Sequence, residues 1–383
     1  MKTLNIMTSS DQNLSKWILP QLVAIGENLS NYQINFFMVH SDIEESTIED
    51  MRDLCRGYKN IFFWEIKLNT EVKLGTAEDI KKYEFLTKHG GAWPKEAYFT
   101  IGCEKYLPEW VDRILYIDAS DVLILGDIGE FYFSDFKNCY ITAYCSKLNY
   151  EEDIVRNGYN DPDNIHHLHV ISKGGMFNAG SYMINVNLLR DSKVDWLDKA
   201  YNISQLLSEK FKYDMAHQVS IFEKYLDISM SYQGDEGIMS SIYMNRMNYF
   251  GYRSQTTGNN WVYNYMITQP LIHDTNFFPY APDAKIVHIH YKPFHCIVED
   301  DDFNPTNHNN LIQCFFPKEI MDIFRKWMEY FKKTKLDYDE FLKGVRHILF
   351  EIKPEEEIPY LLQNMNSAQK HKVLFFANSL LRE

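Results

Sequence analysis

Several features are missing from this sequence, and each absence excludes a class of protein. No hydrophobic run is long enough to cross a bilayer, and the N-terminus lacks the apolar core of a secretory signal peptide. The six cysteines form no C-x-x-C pair and no zinc-finger spacing, so buried, reduced thiols are expected. A net positive charge is absent: the formal net charge of −14 argues against a nucleic-acid-binding surface. These absences predict a cytoplasmic protein that does not bind nucleic acid.

The N-terminal part of the chain has the pattern of a doubly wound α/β fold. The mostly apolar segments 4–7, 34–39 and 61–66 are predicted to be strands, and helices are predicted between them. This alternation indicates a parallel sheet. The G-x-G-x-x-G fingerprint is absent after the first strand, so any nucleotide is bound by other chemistry. We expect a helix at 15–27 kinked at Pro20, another helix at 94–107, and a last strand of the sheet at 285–290.

One short stretch brings two acidic residues to the end of a predicted strand. The apolar run Ile114–Ile117 stops at Asp118-Ala-Ser-Asp121, and a second apolar run follows at 122–125. Open α/β sheets bind their ligands at the carboxyl ends of such strands. Two carboxylates there could hold Mg²⁺ or Mn²⁺, and the ion could hold a diphosphate. An ordinary polar turn between two strands is the alternative.

Four sequence blocks follow one another along the chain in a familiar order. They are Ile6-Met-Thr-Ser-Ser-Asp-Gln-Asn13, Leu115-Tyr-Ile-Asp-Ala-Ser-Asp-Val-Leu-Ile124, Phe177-Asn-Ala-Gly-Ser-Tyr-Met-Ile-Asn185 and Ile286-Val-His-Ile-His-Tyr-Lys-Pro-Phe294, with Gly234-Asp-Glu-Gly237 as a weaker fifth. The series resembles the family 8 retaining glycosyltransferases, which include bacterial lipopolysaccharide galactosyl- and glucosyltransferases and, more distantly, glycogenin. The resemblance spans about residues 1–295, and the region after 316 lies outside it.

The resemblance implies the GT-A fold, an α/β Rossmann-like fold, with UDP-glucose or UDP-galactose as donor and Mn²⁺ or Mg²⁺ as cofactor. By position, Asp118 and Asp121 are the implied metal-binding carboxylates, and His288 is the implied third protein ligand. The other implied contacts are Ser9, Asp11 and Asn13 for the uridine; Asn178, Ala179 and Gly180 for the donor sugar; Asp235 and Glu236 for the reacting side of the sugar; and Lys292 for the β-phosphate.

Some departures from the family pattern leave alternatives open. The acidic motif is Asp-x-x-Asp instead of Asp-x-Asp, so both carboxylates can reach one ion only if the chain bulges at 119–120. Thr100 stands where the family has an arginine, so one positive charge at the nucleotide is missing or comes from elsewhere. The last block is shorter than usual, and His290 therefore competes with His288 as the metal ligand.

Glu236 stands where the family often has glutamine, and two roles are open to it. In the first, the acceptor attacks on the face of the leaving group, the departing phosphate takes its proton, and Glu236 stabilises positive charge. In the second, Glu236 is the nucleophile that forms a covalent intermediate. We favour the first role, because the family generally lacks a well-placed carboxylate there.

The sequence therefore predicts a GT-A catalytic domain at 1–295 and a helical C-terminal appendage at 316–383. The amphipathic helices of the appendage suit packing, contacts between copies of the chain, or peripheral docking at the inner face of a membrane, although no strong basic face supports docking. The predicted activity is metal-dependent, retaining transfer of a hexose from a UDP-sugar to a saccharide or glycoconjugate. The alternative is a non-catalytic nucleotide-sugar-binding protein derived from the family. A nucleotidyltransferase fits less well, because residues 8–13 lack a Gly- and Lys/Arg-rich phosphate loop.

Overall fold

The computed structural model describes residues 1–68, 77–89, 94–146, 176–211, 238–239, 242–243, 246–252, 265–267, 284–289 and 318–337. Its main sheet is built from β1 Lys2–Ser9, β2 Tyr32–His40, β3 Ile61–Lys67, β4 Arg113–Ile117, β6 Ile141–Ser146, β7 Met176–Asn185 and β8 Met247–Tyr252, in the spatial order β3-β2-β1-β4-β7-β6-β8. β1 pairs in parallel with both β2 and β4, and β2 pairs in parallel with β3. The predicted doubly wound opening is confirmed.

The central strands are apolar on both faces because both faces are covered. On one face, Ile6, Phe36 and Leu115 pack in a core that also contains Leu22 and Met51. These two residues belong to helices α2 Ile18–Asn28 and α3 Glu45–Arg56. On the other face, strand residues of the same three strands pack against residues of α4 Ala77–His89 and of the segment 95–107. Such double coverage is typical of parallel sheets and explains why these strands are mostly hydrophobic.

A second, smaller sheet lies beside the first. It contains β5 Val122–Ile124, β10 Ile286–Ile289 and β9 Tyr265–Ile267, in the order β5-β10-β9. The expectation that residues 285–290 form a last strand of the main sheet was therefore wrong. The chain leaves the main sheet at Asp118–Asp121, and β10 pairs antiparallel with β5 after that turn.

Two helix predictions also need correction. The segment 15–27 does not form one kinked helix: α1 Gln12–Ser15 ends before α2 begins, so that Pro20 lies in the first turn of α2. Proline is tolerated there because the first N–H groups of a helix have no partner within the helix. Residues 94–107 form two short 3₁₀ helices, Lys95–Tyr98 and Cys103–Lys105. They are separated at Gly102, whose φ of 80° is outside the helical range.

Four further α-helices follow along the described part of the chain: α5 Gly129–Tyr132, α6 Val186–Asp191, α7 Trp196–Phe211 and α8 Lys318–Phe331. None of the helices in this part of the chain is both long and apolar enough to span a membrane. α8 packs on α2: Trp327 and Phe331 are buried and lie against Trp17, with ring centroids 6.3 and 6.1 Å away. The start of the predicted appendage thus contacts the sheet domain directly, and the proposed domain boundary itself stays a prediction.

Candidate metal and nucleotide site

The sheet changes direction between β1 and β4, and the predicted site residues lie there. From β1 the chain passes to β2 and β3 on one side, and then returns to β4 on the other side of β1. The crevice beyond the carboxyl ends of two such strands is the usual ligand site of open α/β sheets. Ser9 ends β1, and Asp118 directly follows β4. The fold therefore brings the first and second sequence blocks together.

The structure also brings His288 to the two aspartates. His288 Nε2 lies 3.8 Å from Asp118 Oδ2 and 3.5 Å from Asp121 Oδ2. One ligand atom from each of the three residues lies within 4.8 Å of the others. The side chains of Asp121 and His288 are each 6% exposed, whereas that of Asp118 is 33% exposed. This is a partly open arrangement of two carboxylates and one imidazole.

The extra residue of the acidic motif is absorbed by a tight turn. Ser120 has a φ of 74°, in the left-handed region, and its hydroxyl donates to the carbonyl of Ala119. This backbone conformation costs a non-glycine residue about 1–3 kcal/mol. Because of it, the side chains of residues 118 and 121 lie on the same side, as both carboxylates reach His288. Residues 119 and 120 thus depart from regular strand geometry, as a shared ion would require, through a turn with a left-handed residue.

Backbone hydrogen bonds fix this turn to both sheets. The N–H of Asp118 donates to the carbonyl of Gly180 in β7, at 2.9 Å. The N–H of Ile289 donates to the carbonyl of Asp121, at 2.6 Å, and His288 is paired with Val122. The three candidate ligands are therefore held by strands of two different sheets, and their spacing depends on main-chain pairing.

Gly180 touches the imidazole of His288. An ideal Cβ built on Gly180 would lie 2.1 Å from Nδ1 and 2.5 Å from Cε1 of that ring, far inside van der Waals contact. Its neighbour Ala179 is buried. Only glycine leaves room for the ring at this place, so Gly180 has a steric role at the candidate metal site that the sequence did not predict.

The predicted uridine loop follows β1. The Ser9 hydroxyl donates to the carbonyl of Glu96 at 2.7 Å and lies 3.3 Å from the Tyr116 hydroxyl. Asp11 caps α1, because its Oδ1 accepts from the N–H of Leu14 at 3.0 Å. Asn13 is exposed, and its Nδ2 donates to Asp11 Oδ2 at 3.3 Å. Side-chain hydrogen bonds of these three residues thus hold the loop in place. The contact of the loop with uridine stays a prediction.

Comparison with known proteins identifies the family. The profile of "Glycosyl transferase family 8" matches residues 5–219, more than half of the chain. The chain belongs to glycosyl transferase family 8. Glycosyl transfer is accordingly its role. No curated protein sequence gives a significant match.

Solved structures of glycosyltransferases share the fold of this family 8 chain. An active-site mutant of LgtC has a TM-score of 0.50 and 16% identity, with 89% of this chain and 100% of that chain covered. The apo structure of the WbbM bifunctional glycosyltransferase has a TM-score of 0.52 and 12% identity, with 90% of this chain and 52% of that chain covered. At these identities the likeness concerns the fold alone, and the GT-A assignment is confirmed.

The three candidate metal ligands of this glycosyltransferase suit a hard divalent ion. Carboxylate oxygens with one imidazole are ligands that Mn²⁺ accepts, whereas a zinc site would favour cysteine or more histidine. Three protein ligands leave other coordination positions for a diphosphate. The residues at the site therefore fit a divalent metal.

For several predicted site residues, the structure describes no side-chain contact with this group. Asn178 lies in β7, two residues before Gly180, so it belongs to the strand that borders the candidate metal site. Asp235, Glu236, His290 and Lys292 lie outside the described residues. The contacts of His288 therefore support it as the metal ligand, whereas the structure provides no comparison with His290.

Thr100 occupies the position at which the family has an arginine. It is 1% exposed, and its hydroxyl donates to the sulfur of Met239 at 3.6 Å. This position therefore contributes neither charge nor an accessible side chain. A cation for the nucleotide has to come from another part of the chain or from the metal ion.

Two buried polar residues beside the site were missed. Gln21, in α2, donates to the main-chain carbonyls of Asp118 and Val122, at the two ends of the turn that carries both aspartates (the acidic turn). Glu96 accepts from Ser41 and lies next to Ser9, and burial raises the pKa of its carboxyl although the Ser41 bond opposes this. A signal existed for Gln21, because it is a single polar side chain in the otherwise apolar stretch 18–26. We find no comparable signal for Glu96.

Proposed function

We propose that this chain transfers a hexose, glucose or galactose, from its UDP-sugar to a saccharide or glycoconjugate acceptor, with retention of configuration and with Mn²⁺ or Mg²⁺. The observation that carries the proposal is the convergence of Asp118, Asp121 and His288 at the β1–β4 crevice of a family 8 domain. Two carboxylates and one imidazole offer the oxygen and nitrogen ligands that Mn²⁺ accepts.

In this proposal the three side chains hold the ion, and the ion supplies positive charge for the leaving diphosphate. The need for that charge follows from the protein itself, because its formal net charge is −14. Asp121 and His288 are nearly buried, so their interactions with a cation are weakly screened. Asp118 is more exposed, so in this proposal a nucleotide approaches the ion from the side of Asp118.

The remaining predicted roles complete the donor site. Ser9, Asp11 and Asn13 hold the uridine at the end of β1, and Lys292 contacts the β-phosphate. The wall beside the donor sugar is assigned to Asn178, Ala179 and Gly180, since β7 runs next to the acidic turn. Asp235 and Glu236 hold the reacting side of the sugar.

In the transfer step, the bond from the sugar carbon to the UDP oxygen breaks. The acceptor oxygen forms its bond on the same face, and its proton passes to a phosphate oxygen of the departing UDP. The protein mainly positions the two groups. Glu236 stabilises the positive charge that develops on the sugar, so a Glu236→Gln variant that keeps full activity would remove this residue from the mechanism.

The test measures UDP release from UDP-glucose and UDP-galactose with Mn²⁺, and then with a panel of acceptor saccharides. We expect release by the wild-type protein and a loss of at least about 100-fold in Asp121→Asn, since an amide is a poor substitute for an anionic ligand. Asp112→Asn is the matched control, because Asp112 is an exposed aspartate at the opposite end of β4. Binding of UDP-sugar without release of UDP by the wild-type protein would instead support the non-catalytic alternative.

We also place the enzyme in the cytoplasm, with its acceptor in solution or at the inner face of the membrane. Fractionation of cells that express the chain tests this part. Recovery of the protein only from a compartment outside the cytoplasm would contradict it.

A further inference from the structure

Gln21 is a buried amide that spans the acidic turn from behind. It is fully buried in α2, among apolar neighbours in sequence from Ile18 to Gly26. Its Nε2 lies 2.9 Å from the carbonyl oxygen of Asp118 and 2.8 Å from that of Val122. An amide nitrogen has two hydrogens, and here each has its own acceptor. The reversed amide would set its oxygen against two carbonyl oxygens, so the orientation of the group is fixed.

The two acceptors are the ends of the segment that carries both aspartates. Residues i and i+3 of a regular strand point to opposite faces, and this chain needs its left-handed Ser120 to bring residues 118 and 121 together. A turn of this kind persists only where its surroundings hold it. By binding both ends, Gln21 fixes the span of the turn and therefore the separation of the two carboxylates.

The helix that carries Gln21 is itself anchored. Asn28, two turns further along α2, donates to the carbonyl of Ile124 at 3.0 Å and to the hydroxyl of Tyr330 at 2.9 Å. At the other end of α2, Trp17 lies against aromatic rings of α8. α2 is thus held between β5 and α8, and the amide of Gln21 is presented from a rigid element.

We propose that Gln21 is a positioning residue for the metal site, which holds the four-residue acidic motif in the geometry that binds a divalent cation. The proposal rests on the proposed function, because it takes Asp118, Asp121 and His288 as the metal ligands. Gln21 itself touches neither the ion nor the substrate. Its role follows from the longer motif, since a turn with an extra residue needs a support that a regular strand does not.

The test compares Gln21→Met with Asn28→Leu. Methionine has nearly the length of glutamine and no donor, so Gln21→Met removes both hydrogen bonds to the turn with little change in volume. Asn28→Leu removes comparable hydrogen bonds from the same helix, including one to β5, but leaves the acidic turn untouched. The two variants separate loss of helix anchoring from loss of turn geometry.

The readouts are the dissociation constant of Mn²⁺, measured from the electron paramagnetic resonance of free Mn²⁺, and the melting temperature without metal. We expect Gln21→Met to raise the dissociation constant about 10- to 100-fold, the range for groups that orient metal ligands. Asn28→Leu should lower the melting temperature but leave the dissociation constant within about 2-fold of wild type. In the activity assay, Gln21→Met should raise the Mn²⁺ concentration needed for half-maximal rate more than it lowers the rate at saturating Mn²⁺.

Each outcome separates the two claims. A wild-type protein that binds no Mn²⁺ would overturn the proposed function. Wild-type binding together with an unchanged dissociation constant in folded Gln21→Met would overturn only the role of Gln21. If Gln21→Met does not fold, Gln21→Asn provides the same comparison, because its side chain is one methylene shorter and its amide does not reach the turn. Unchanged Mn²⁺ binding in Gln21→Asn would equally contradict the proposal.

Discussion

Replacing Gly180 by alanine tests the position of the histidine ligand with a single methyl group. The new Cβ would lie 2.1 Å from His288 Nδ1, 2.5 Å from Cε1 and 2.7 Å from Cγ. Ordinary contact begins near 3.4 Å. To reach that distance from the new Cβ, Nδ1 of the ring has to move by about 1.3 Å. Metal–ligand distances tolerate changes of only about 0.2 Å. The substitution therefore displaces the imidazole by several times what a metal site accepts.

The strand cannot easily absorb this displacement. His288 is paired with Val122 of β5 on one side and with Met266 of β9 on the other. Its main chain is thus fixed between two neighbours, and the ring has to rotate out of its position beside the aspartates. We expect Gly180→Ala to raise the dissociation constant of Mn²⁺ by about 100-fold or more, as for removal of one of three protein ligands, and to lower UDP release correspondingly.

Metal binding is the decisive assay, because Gly180 is also predicted to border the donor sugar and a loss of activity alone would have two explanations. The matched control is Gly126→Ala. Its nearest neighbour would be the flexible side chain of Lys285, at 3.2 Å from the new Cβ, so this variant should bind Mn²⁺ like wild type. A folded Gly180→Ala protein whose dissociation constant lies within about 3-fold of wild type would refute the reasoning.

Three further predictions concern stability, measured by urea denaturation. Burial raises the pKa of Glu104 to about 7 from 4.5, so its stabilising contribution is complete below the lower value and is lost as pH rises through the higher one. Glu104→Gln should therefore be more stable than wild type at pH 8, by up to about 3 kcal/mol, with little difference at pH 4; equal effects at both pH values would contradict this. Trp327→Ala should cost about 3–5 kcal/mol, because the ring is fully buried against Trp17, and a loss below about 1 kcal/mol would show that α8 is not part of the folded unit. Ser120→Val should cost about 1–3 kcal/mol more than Ser120→Gly, since only glycine adopts the left-handed conformation without strain, and equal stability would contradict the turn geometry.

Much of the fold could be predicted because its signals are local. The strands β1 to β4 are mostly apolar, and their alternation with helices leaves few topologies open. An irregular backbone at Ala119 and Ser120 followed from strand geometry together with the requirement that two aspartates meet. His288 was correctly expected near them from the resemblance of its sequence block.

What could not be predicted depends on contacts between distant parts of the chain. The pairing of β10 with β5, more than 150 residues apart, has no local signal that separates it from an additional strand of the main sheet. The steric contact of Gly180 with His288 likewise depends on how two sheets meet. Thr100 could be recognised as a departure from the family, but its burial against Met239 is visible only in the folded chain.

The most direct test of the account is a crystal structure of the protein with Mn²⁺ and UDP, with the ion located by its anomalous scattering. We predict one peak within about 2.4 Å of an oxygen of Asp118, an oxygen of Asp121 and a nitrogen of His288, in contact with the diphosphate. A fully occupied ion at another place, with UDP bound and these three side chains making no contact with a metal, would contradict the account.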